Sequence, residues 1–344
     1  MYDINNIIRP NIKELKGYSS ARSEYDGVAD VYLDANENPY GDDLNRYPDP
    51  YQTELKRYLS NMKGVATDQI FVGNGSDEAI DLLFRAFCTP GKDNAFIFSP
   101  TYGMYAISAG INNVSVVNIN LDEDYNLPSN KKINSILQNQ KGLLFICTPN
   151  NPTGNTTSLQ TIKRIADSYN GIVVVDEAYI DFCNESSAIS MLRSTPNIVV
   201  LQTMSKAYGC AGLRVGFAYG NAAIIEVLNK IKPPYNISTF SQKEALRTLK
   251  DTSKNESQIK SIISERLNLV KELSQLDCIE KIYPSESNFV LVLCRNAEAT
   301  YNYLRKRGII IRSRTKQVES GLRITVGTPA ENQLLISALK EFQL

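Results

Sequence analysis

The sequence contains no histidine among its 344 residues. This absence excludes Ser-His-Asp and Cys-His nucleophile systems and metalloproteases with an HExxH motif. Because most catalytic zinc sites also use histidine, we expect no metal centre. Any proton transfer must use Lys, Tyr, Asp, Glu or Cys, or a cofactor.

The sequence also lacks an excess of charge, since Lys plus Arg and Asp plus Glu both total 37. No net charge attracts nucleic acid or an anionic membrane. No run approaches the roughly 18 apolar residues needed to span a bilayer, and the N-terminal stretch does not have the pattern of a secretion signal. We therefore expect a small-molecule substrate, or a second copy of the chain, as the partner.

The six cysteines form no C-x-x-C pair and lie far apart, at positions 88, 147, 183, 210, 278 and 294. Several fall in apolar runs that read as strands. Buried free thiols in a reducing cytoplasm are the simplest interpretation.

The most informative stretch follows an apolar run at 197–201 and contains Ser205, Lys206 and Arg214. A desolvated lysine at a strand end can form a Schiff base, and a nearby arginine can bind a phosphate. A cofactor with an aldehyde and a phosphate would satisfy both. A solvated loop lysine and a surface arginine would give the same local pattern.

Apolar runs alternate with helical patterns through the first two thirds of the chain, which predicts an α/β fold with a mostly parallel sheet covered on both faces by helices. The predicted strands include 95–98, 114–118, 142–147, 172–175, 198–201 and 216–220. Ligands of such sheets bind beyond the carboxyl ends of the strands. We expect Asn151, Asp176 and Lys206 to meet there.

A short strand at about 70–72 turns through Gly73 and Gly75 into an amphipathic helix that starts near Ser76 and Asp77. Free N–H groups and the helix dipole make such a start an anion site, although a plain capped helix would look the same.

We place an N-terminal arm at 1–44, a large domain at 45–232 and a smaller α/β domain at 233–344. The arm is expected to pack against the small domain and a partner subunit. Helical pattern covers 241–275, with a break near 251–255, and strands are predicted at 288–294, 309–313 and 322–326. The last two strands contain Arg312 and Arg323, which are costly in apolar strands unless they meet an anion or an internal carboxylate.

Together these residues suit pyridoxal 5′-phosphate. Lys206 would bond to its aldehyde, and Asp176 would pair with the ring nitrogen so that the ring accepts electrons. Tyr179 and Asn151 would hydrogen-bond the ring oxygen, and Tyr102 would stack on the ring. The residues predicted to bind the phosphate are Arg214, Ser205, Gly75, Ser76 and Asp77.

The chain resembles fold-type-I pyridoxal-phosphate aminotransferases, and among them the histidinol-phosphate aminotransferases. The resemblance rests on Asn-Glu-Asn-Pro at 36–39, Arg-Tyr-Pro-Asp at 46–49, Asn-Pro-Thr-Gly at 151–154, Asp-x-x-Tyr at 176–179 and Ser-Lys at 205–206. It implies a seven-stranded mixed sheet whose strand near 216–220 is antiparallel. It also implies a homodimer in which Tyr47 reaches the partner's cofactor phosphate. The second amino donor and acceptor would be glutamate and 2-oxoglutarate. The implied substrate-binding residues are Tyr18, Asn38, Arg312 and Arg323.

Three alternatives remain open at this point. An aromatic-amino-acid transaminase shares the cofactor residues, and a phosphothreonine decarboxylase shares the scaffold but breaks the bond to the carboxylate. A regulatory binding module is the non-enzyme alternative, but the retained Lys206 and the absence of a DNA-binding appendage argue against it.

Overall fold

The computed structural model describes residues 4–19, 21–25, 27, 29–41 and 44–342. In this part of the chain seven strands form one large sheet in the order β3-β2-β4-β5-β6-β7-β1. They are β1 Ile70–Asn74, β2 Asn94–Ser99, β3 Ser115–Asn120, β4 Gly142–Cys147, β5 Ile172–Asp176, β6 Ile198–Thr203 and β7 Val215–Gly220. Strand β7 pairs antiparallel with both β6 and β1, and the remaining pairs are parallel. The predicted fold is confirmed.

Helices cover the large sheet on both faces. In chain order they are α1 Pro10–Glu14, α2 Thr53–Lys63, α3 Ser76–Phe87, α4 Met104–Ile111, α5 Asn130–Leu137, α6 Leu159–Ser168, α7 Ala222–Ile231 and α8 Thr239–Lys250. In β5, Val173 and Val175 join the apolar cluster on one face and Val174 joins the cluster on the other. Because successive side chains alternate and both faces are covered, the central strands are apolar throughout.

A smaller antiparallel sheet follows in the order β10-β11-β9-β8. Its strands are β8 Ile279–Ile282, β9 Phe289–Cys294, β10 Arg312–Ser313 and β11 Gly321–Thr325, and its helices are α9 Thr252–Leu273, α10 Ala297–Lys306 and α11 Pro329–Lys340. The expected break in the long helical pattern falls at Asp251, between α8 and α9. None of the helices in the described ranges is long and apolar enough to cross a membrane.

Two details of the small sheet differ from the sequence prediction. Strand β10 is shorter than 309–313, because Ile309 and Ile311 pack beside the apolar core of this unit without pairing to β11. Strand β8 was not predicted, and its sequence Ile-Glu-Lys-Ile is short and half polar.

Part of the proposed arm contacts the large unit. Several early side chains pack beside the large unit, namely Ile4, Ile7, Ile8 and Ile12. Arg9 Nη1 donates to the carbonyl of Arg85 at 2.8 Å. Helix α8, which follows the proposed bound at 232, also packs on the core of the large unit. The bounds, and contact of the arm with the small unit and a partner, stay predictions.

Gly216 in β7 lets the start of α3 lie directly against the sheet. A Cβ at position 216 would lie 2.2 Å from the backbone nitrogen of Ser76 and 2.5 Å from the carbonyl carbon of Gly75. Since these are backbone atoms, a larger residue must displace the helix start.

We therefore expect Gly216→Ala to lower the free energy of unfolding of the cofactor-free protein by about 2–3 kcal/mol. The matched control is Gly110→Ala in α4, where a Cβ would meet no described atom within 4 Å. This control should be neutral or stabilise by up to about 1 kcal/mol. Urea denaturation measures both, and equal midpoints for the two variants would contradict the close approach.

Candidate active site

Most of the predicted site residues line one cavity of about 380 Å³ at the carboxyl edge of the large sheet. The predicted members are Ser76, Asp77, Tyr102, Asn151, Asp176, Tyr179, Ser205, Lys206, Arg214, Arg312 and Arg323. The sequence analysis did not single out the remaining lining residues, which are Cys147, Ala178, Thr203, Ala211 and Arg314.

The topology of the sheet explains this convergence. Strands β4, β5 and β6 are parallel neighbours, so the residues that follow them, Asn151, Asp176 and Lys206, meet at one edge. Strand β7 runs the opposite way and begins at that same edge. Arg214, directly before β7, is thereby brought to the site.

Asp176 is buried at the end of β5 and has both carboxylate oxygens engaged. Oδ2 accepts a hydrogen bond from the Tyr105 hydroxyl at 2.6 Å, and Oδ1 accepts one from the Ala178 N–H at 3.1 Å. Burial raises the pKa of Asp176, and the bond from Tyr105 opposes that rise. Tyr105 was not among the residues predicted from the sequence. Its position three residues beyond Tyr102, at the start of α4, was the available signal.

Lys206 lies half-buried just beyond β6, with Nζ 5.6 Å from the centre of the Tyr179 ring. Burial lowers the pKa of Lys206, and repulsion from Arg323 lowers it further. A lysine in this environment provides more neutral amine near neutral pH, which suits both a nucleophile and a base.

The start of α3 forms an anion cradle with Arg214. Gly75 has a φ of 75°, and a Cβ there would meet Arg214 Nη2 at 2.6 Å. Arg214 also reaches Ser205 Oγ at 3.5 Å and Asp77 Oδ2 at 3.5 Å. Guanidinium, hydroxyl and the free N–H groups of a helix start are donors typical of a phosphate site.

The two acidic residues of the first turn of α3 are held by neighbouring donors. Glu78 Oε2 accepts from the Asn74 N–H at 2.6 Å, outside the cavity. Asp77 Oδ1 accepts from the Tyr102 hydroxyl at 3.1 Å. Donation of backbone N–H groups to an anion by this helix start stays a prediction.

Asn151 links the large unit to the small one. Its Oδ1 accepts from Arg323 Nη1 at 2.6 Å and lies 3.5 Å from Arg314 Nη2, while its Nδ2 donates to the Tyr179 hydroxyl at 3.4 Å. Arg323 also lies over the Phe289 ring, 5.2 Å from its centre.

Three arginines of the small unit, in β10, directly after β10 and in β11, line the same cavity. Arg312 and Arg323 are directly opposite in the ladder, and Arg314 lies two residues beyond Arg312. Within the described ranges none of the three pairs with a carboxylate, and the Nε atoms of Arg314 and Arg323 have no hydrogen-bond partner. Burial, then repulsion from Arg323 and Arg312, lowers the pKa of Arg314 to about 10. Like charges placed opposite each other are destabilising, so this face suits a second anion.

The remaining predicted residues lie outside this cavity. Tyr47 is 50% exposed, stacks on Tyr235 with ring centres 4.4 Å apart, and lines a separate cavity of about 960 Å³ beside the arm. Tyr18 is exposed, and Asn38 Oδ1 accepts from the Tyr40 N–H at 2.9 Å. Their roles at the site stay predictions.

The cysteines are all free thiols. Burial, with the nearby carboxylate of Asp176, raises the pKa of Cys147 to about 12, so this cavity-lining thiol stays neutral. Among the described residues no group of three or more Cys, Asp and Glu side chains is placed to hold a metal ion.

Comparison with known proteins identifies the wider group to which this arrangement belongs. The family model for aminotransferase class I and II matches residues 21–339. The chain is 47% identical to a histidinol-phosphate aminotransferase of Parabacteroides distasonis, covering 100% of both proteins.

Two solved structures share the fold. A putative histidinol-phosphate aminotransferase from Erwinia carotovora atroseptica has a TM-score of 0.81 at 26% identity, covering 90% of this chain and 94% of the other. The Sinorhizobium meliloti histidinol-phosphate aminotransferase, solved in complex with pyridoxal-5′-phosphate, has a TM-score of 0.79 at 23% identity, covering 87% and 83%.

The position of Arg323 leads to a prediction about Lys206. Replacing Arg323 by Met removes a nearby positive charge, so the pKa of Lys206 should rise. The measurement is the pH dependence of Lys206 labelling by a small amine-reactive reagent in the cofactor-free protein, followed by mass spectrometry. Labelling of the variant should begin at higher pH than in the native protein. Arg164→Met, on the exposed side of α6, is the control, and an unchanged profile in both variants would contradict the proximity of the two charges.

Proposed function

The chain belongs to the class I and II aminotransferase family, and we propose that it transfers the amino group of L-histidinol phosphate to 2-oxoglutarate with pyridoxal 5′-phosphate as cofactor. The products are imidazole-acetol phosphate and L-glutamate, and the reaction is a step of histidine biosynthesis. The relatives at 46–48% identity over 98–100% of this chain carry the name histidinol-phosphate aminotransferase.

The observation that carries the proposal is that two groups of cationic side chains line one cavity. Arg214 beside the start of α3 forms one, and Arg312, Arg314 and Arg323 of the small unit form the other. Lys206 and Asp176 line the same cavity. A cofactor phosphate and a substrate phosphate would each find cationic donors, and the substrate amine would be held near Lys206.

The residues present fit pyridoxal phosphate on a structural test. Gly75 has φ 75° and ψ 167°, a backbone conformation essentially confined to glycine, and the Arg214 guanidinium lies against it in the space beside the start of α3. The chemistry that the cofactor supplies when bound is an aldehyde that condenses with amines and a ring that delocalises an electron pair. Arg214, Ser205 and the N–H groups of Ser76 and Asp77 would hold its phosphate, and Asp176 would accept from its ring nitrogen.

The side chains that line the cavity would have distinct roles in proton transfer and in binding the cofactor ring. Lys206 Nζ would hold the cofactor through its aldehyde, and as a free amine it would take a proton from the reacting substrate carbon and later return one. Its lowered pKa favours this exchange near neutral pH. Tyr179 and Asn151, joined by their hydrogen bond, would face the ring oxygen, and Tyr102 would cover one ring face.

Arg323 is the group best placed to bind the anionic group of both amino donors, histidinol phosphate and glutamate. Its Nη1 contacts Asn151, while Nε has no partner among the described residues. A phosphate of histidinol phosphate, or a carboxylate of glutamate, would supply the missing acceptor. Arg312 and Arg314 add charge that suits a dianionic phosphate better than a single carboxylate. This excess favours a phosphorylated substrate over an aromatic amino acid.

The proposed enzyme is a cytoplasmic homodimer. Support for the dimer comes from Tyr47, which lies outside the cavity of its own chain, and from the exposed apolar side chains nearby, namely Tyr40, Leu44 and Tyr51. The six free cysteines support a reducing compartment.

The substrate assignment is tested with histidinol phosphate and histidinol, which differ only in the phosphate. Arg314→Gln should lower kcat/KM for histidinol phosphate by about 10- to 100-fold, because a hydrogen bond to a charged group contributes roughly 1.5–3 kcal/mol. Histidinol turnover should change much less. Arg305→Gln, on the exposed face of α10, is the control. A variant that loses both activities equally would contradict the phosphate role of Arg314, and carbon dioxide release from phosphothreonine would favour the lyase.

The dimer is tested by subunit complementation. Lys206→Ala and Tyr47→Phe should each impair turnover alone. If Tyr47 serves the partner's site, a mixed dimer contains one native site, so random reassociation of equal amounts should restore about one quarter of the native activity per chain. A mixture that shows only the sum of the two separate activities would contradict the shared site.

A further inference from the structure

We infer that Tyr105 is a positioning residue that holds Asp176 in the orientation and charge state required to bind the cofactor ring. The inference rests on the proposed function, because Asp176 acquires its role only when pyridoxal phosphate is the cofactor. In a chain without histidine, a tyrosine provides this support.

The contact between the two residues is short and buried. The hydroxyl of Tyr105 donates to Asp176 Oδ2 at 2.6 Å, Tyr105 is 0% exposed and Asp176 is 3% exposed. The other oxygen, Oδ1, accepts from the Ala178 N–H. One donor on each oxygen fixes the plane of the carboxylate and leaves further lone pairs free to accept from a ligand in the cavity.

Aromatic packing fixes the position of the Tyr105 hydroxyl. Its ring stacks on Phe145, with centres 4.4 Å apart and planes 16° apart. The edge of Tyr102 meets the same ring at 5.5 Å and 83°. Tyr102 and Asp176 line the cavity, whereas Tyr105 lies behind them. Tyr105 therefore acts through Asp176 without touching the reacting atoms.

The electrostatic surroundings explain why this donor is needed. Burial alone favours the neutral form of Asp176, and the Tyr105 hydroxyl opposes this by stabilising the carboxylate. Burial raises the pKa of Tyr105 well above its ordinary value, so the hydroxyl keeps its proton and remains a donor. The titratable groups that face Asp176 from the surrounding elements are Tyr105, Tyr102, Cys147, Tyr179, Asp77 and Lys206.

The test removes the hydroxyl with Tyr105→Phe and uses Tyr219→Phe as a matched control. Tyr219 is also fully buried, in β7, and its hydroxyl has no hydrogen-bond partner among the described residues. Two properties are measured: the dissociation constant for pyridoxal phosphate, and the pH midpoint of the visible absorption band of the loaded protein. The midpoint reports protonation of the Lys206–cofactor bond and does not depend on turnover.

Without the Tyr105 donor, Asp176 holds a proton more readily and the ring nitrogen is less often protonated. A less electron-withdrawing ring should raise the pH midpoint of the band. The dissociation constant should rise about tenfold, within the range for loss of a hydrogen bond to a charged group. Tyr219→Phe should change neither property.

A double-variant comparison separates this role from general destabilisation. If Tyr105 acts through Asp176, adding Tyr105→Phe to Asp176→Asn should leave cofactor affinity within about twofold of Asp176→Asn alone. An unchanged midpoint and affinity in Tyr105→Phe, or a further tenfold loss in the double variant, would overturn the inference. A native protein that binds no pyridoxal phosphate would instead overturn the proposed function itself.

Discussion

Repulsion among like charges is the interaction on which the rest of the site depends. Five basic side chains and two carboxylates line the cavity at the carboxyl edge of the large sheet. Burial and mutual repulsion lower the pKa of Lys206, Arg314 and Arg323. Bound anions would relieve that repulsion, so the charge that disfavours the empty site also favours phosphate binding. Burial, and then the repulsion from Arg323, lowers the pKa of Lys206, which favours the neutral amine that its chemistry needs.

The fold brings these charges together at one edge of the large sheet. Parallel strands deliver Asn151, Asp176 and Lys206 to one edge, and the antiparallel β7 brings Arg214 to it from the other direction. The small sheet adds its arginines from across the cavity. The hydrogen bond from Arg323 to Asn151 joins the small unit to the carboxyl edge of the large sheet.

The sequence predicted what depends on local pattern and strand order. The strands of the large sheet were visible as buried apolar runs, and the motifs that follow them located Asn151, Asp176 and Lys206. Tyr105 was not assigned a role because only the folded chain shows that its side chain reaches from α4 to Phe145 in β4 and to Asp176 at the end of β5. Arg314 was missed because the predicted strand ended at 313, and only the folded small unit shows that Arg314 lines the same cavity as Arg312 and Arg323. A site shared between subunits depends on a second chain, so the function of Tyr47 follows from neither local pattern nor the single-chain fold.

The most direct measurement is the visible spectrum of the pyridoxal-phosphate-loaded protein before and after addition of histidinol phosphate without any oxo acid. We expect a yellow protein whose visible band disappears as the amino group passes to the cofactor, and which regains the band when 2-oxoglutarate is added. A yellow protein that does not respond to histidinol phosphate would contradict the substrate assignment. A protein that stays colourless after incubation with pyridoxal phosphate would contradict the role given to Lys206.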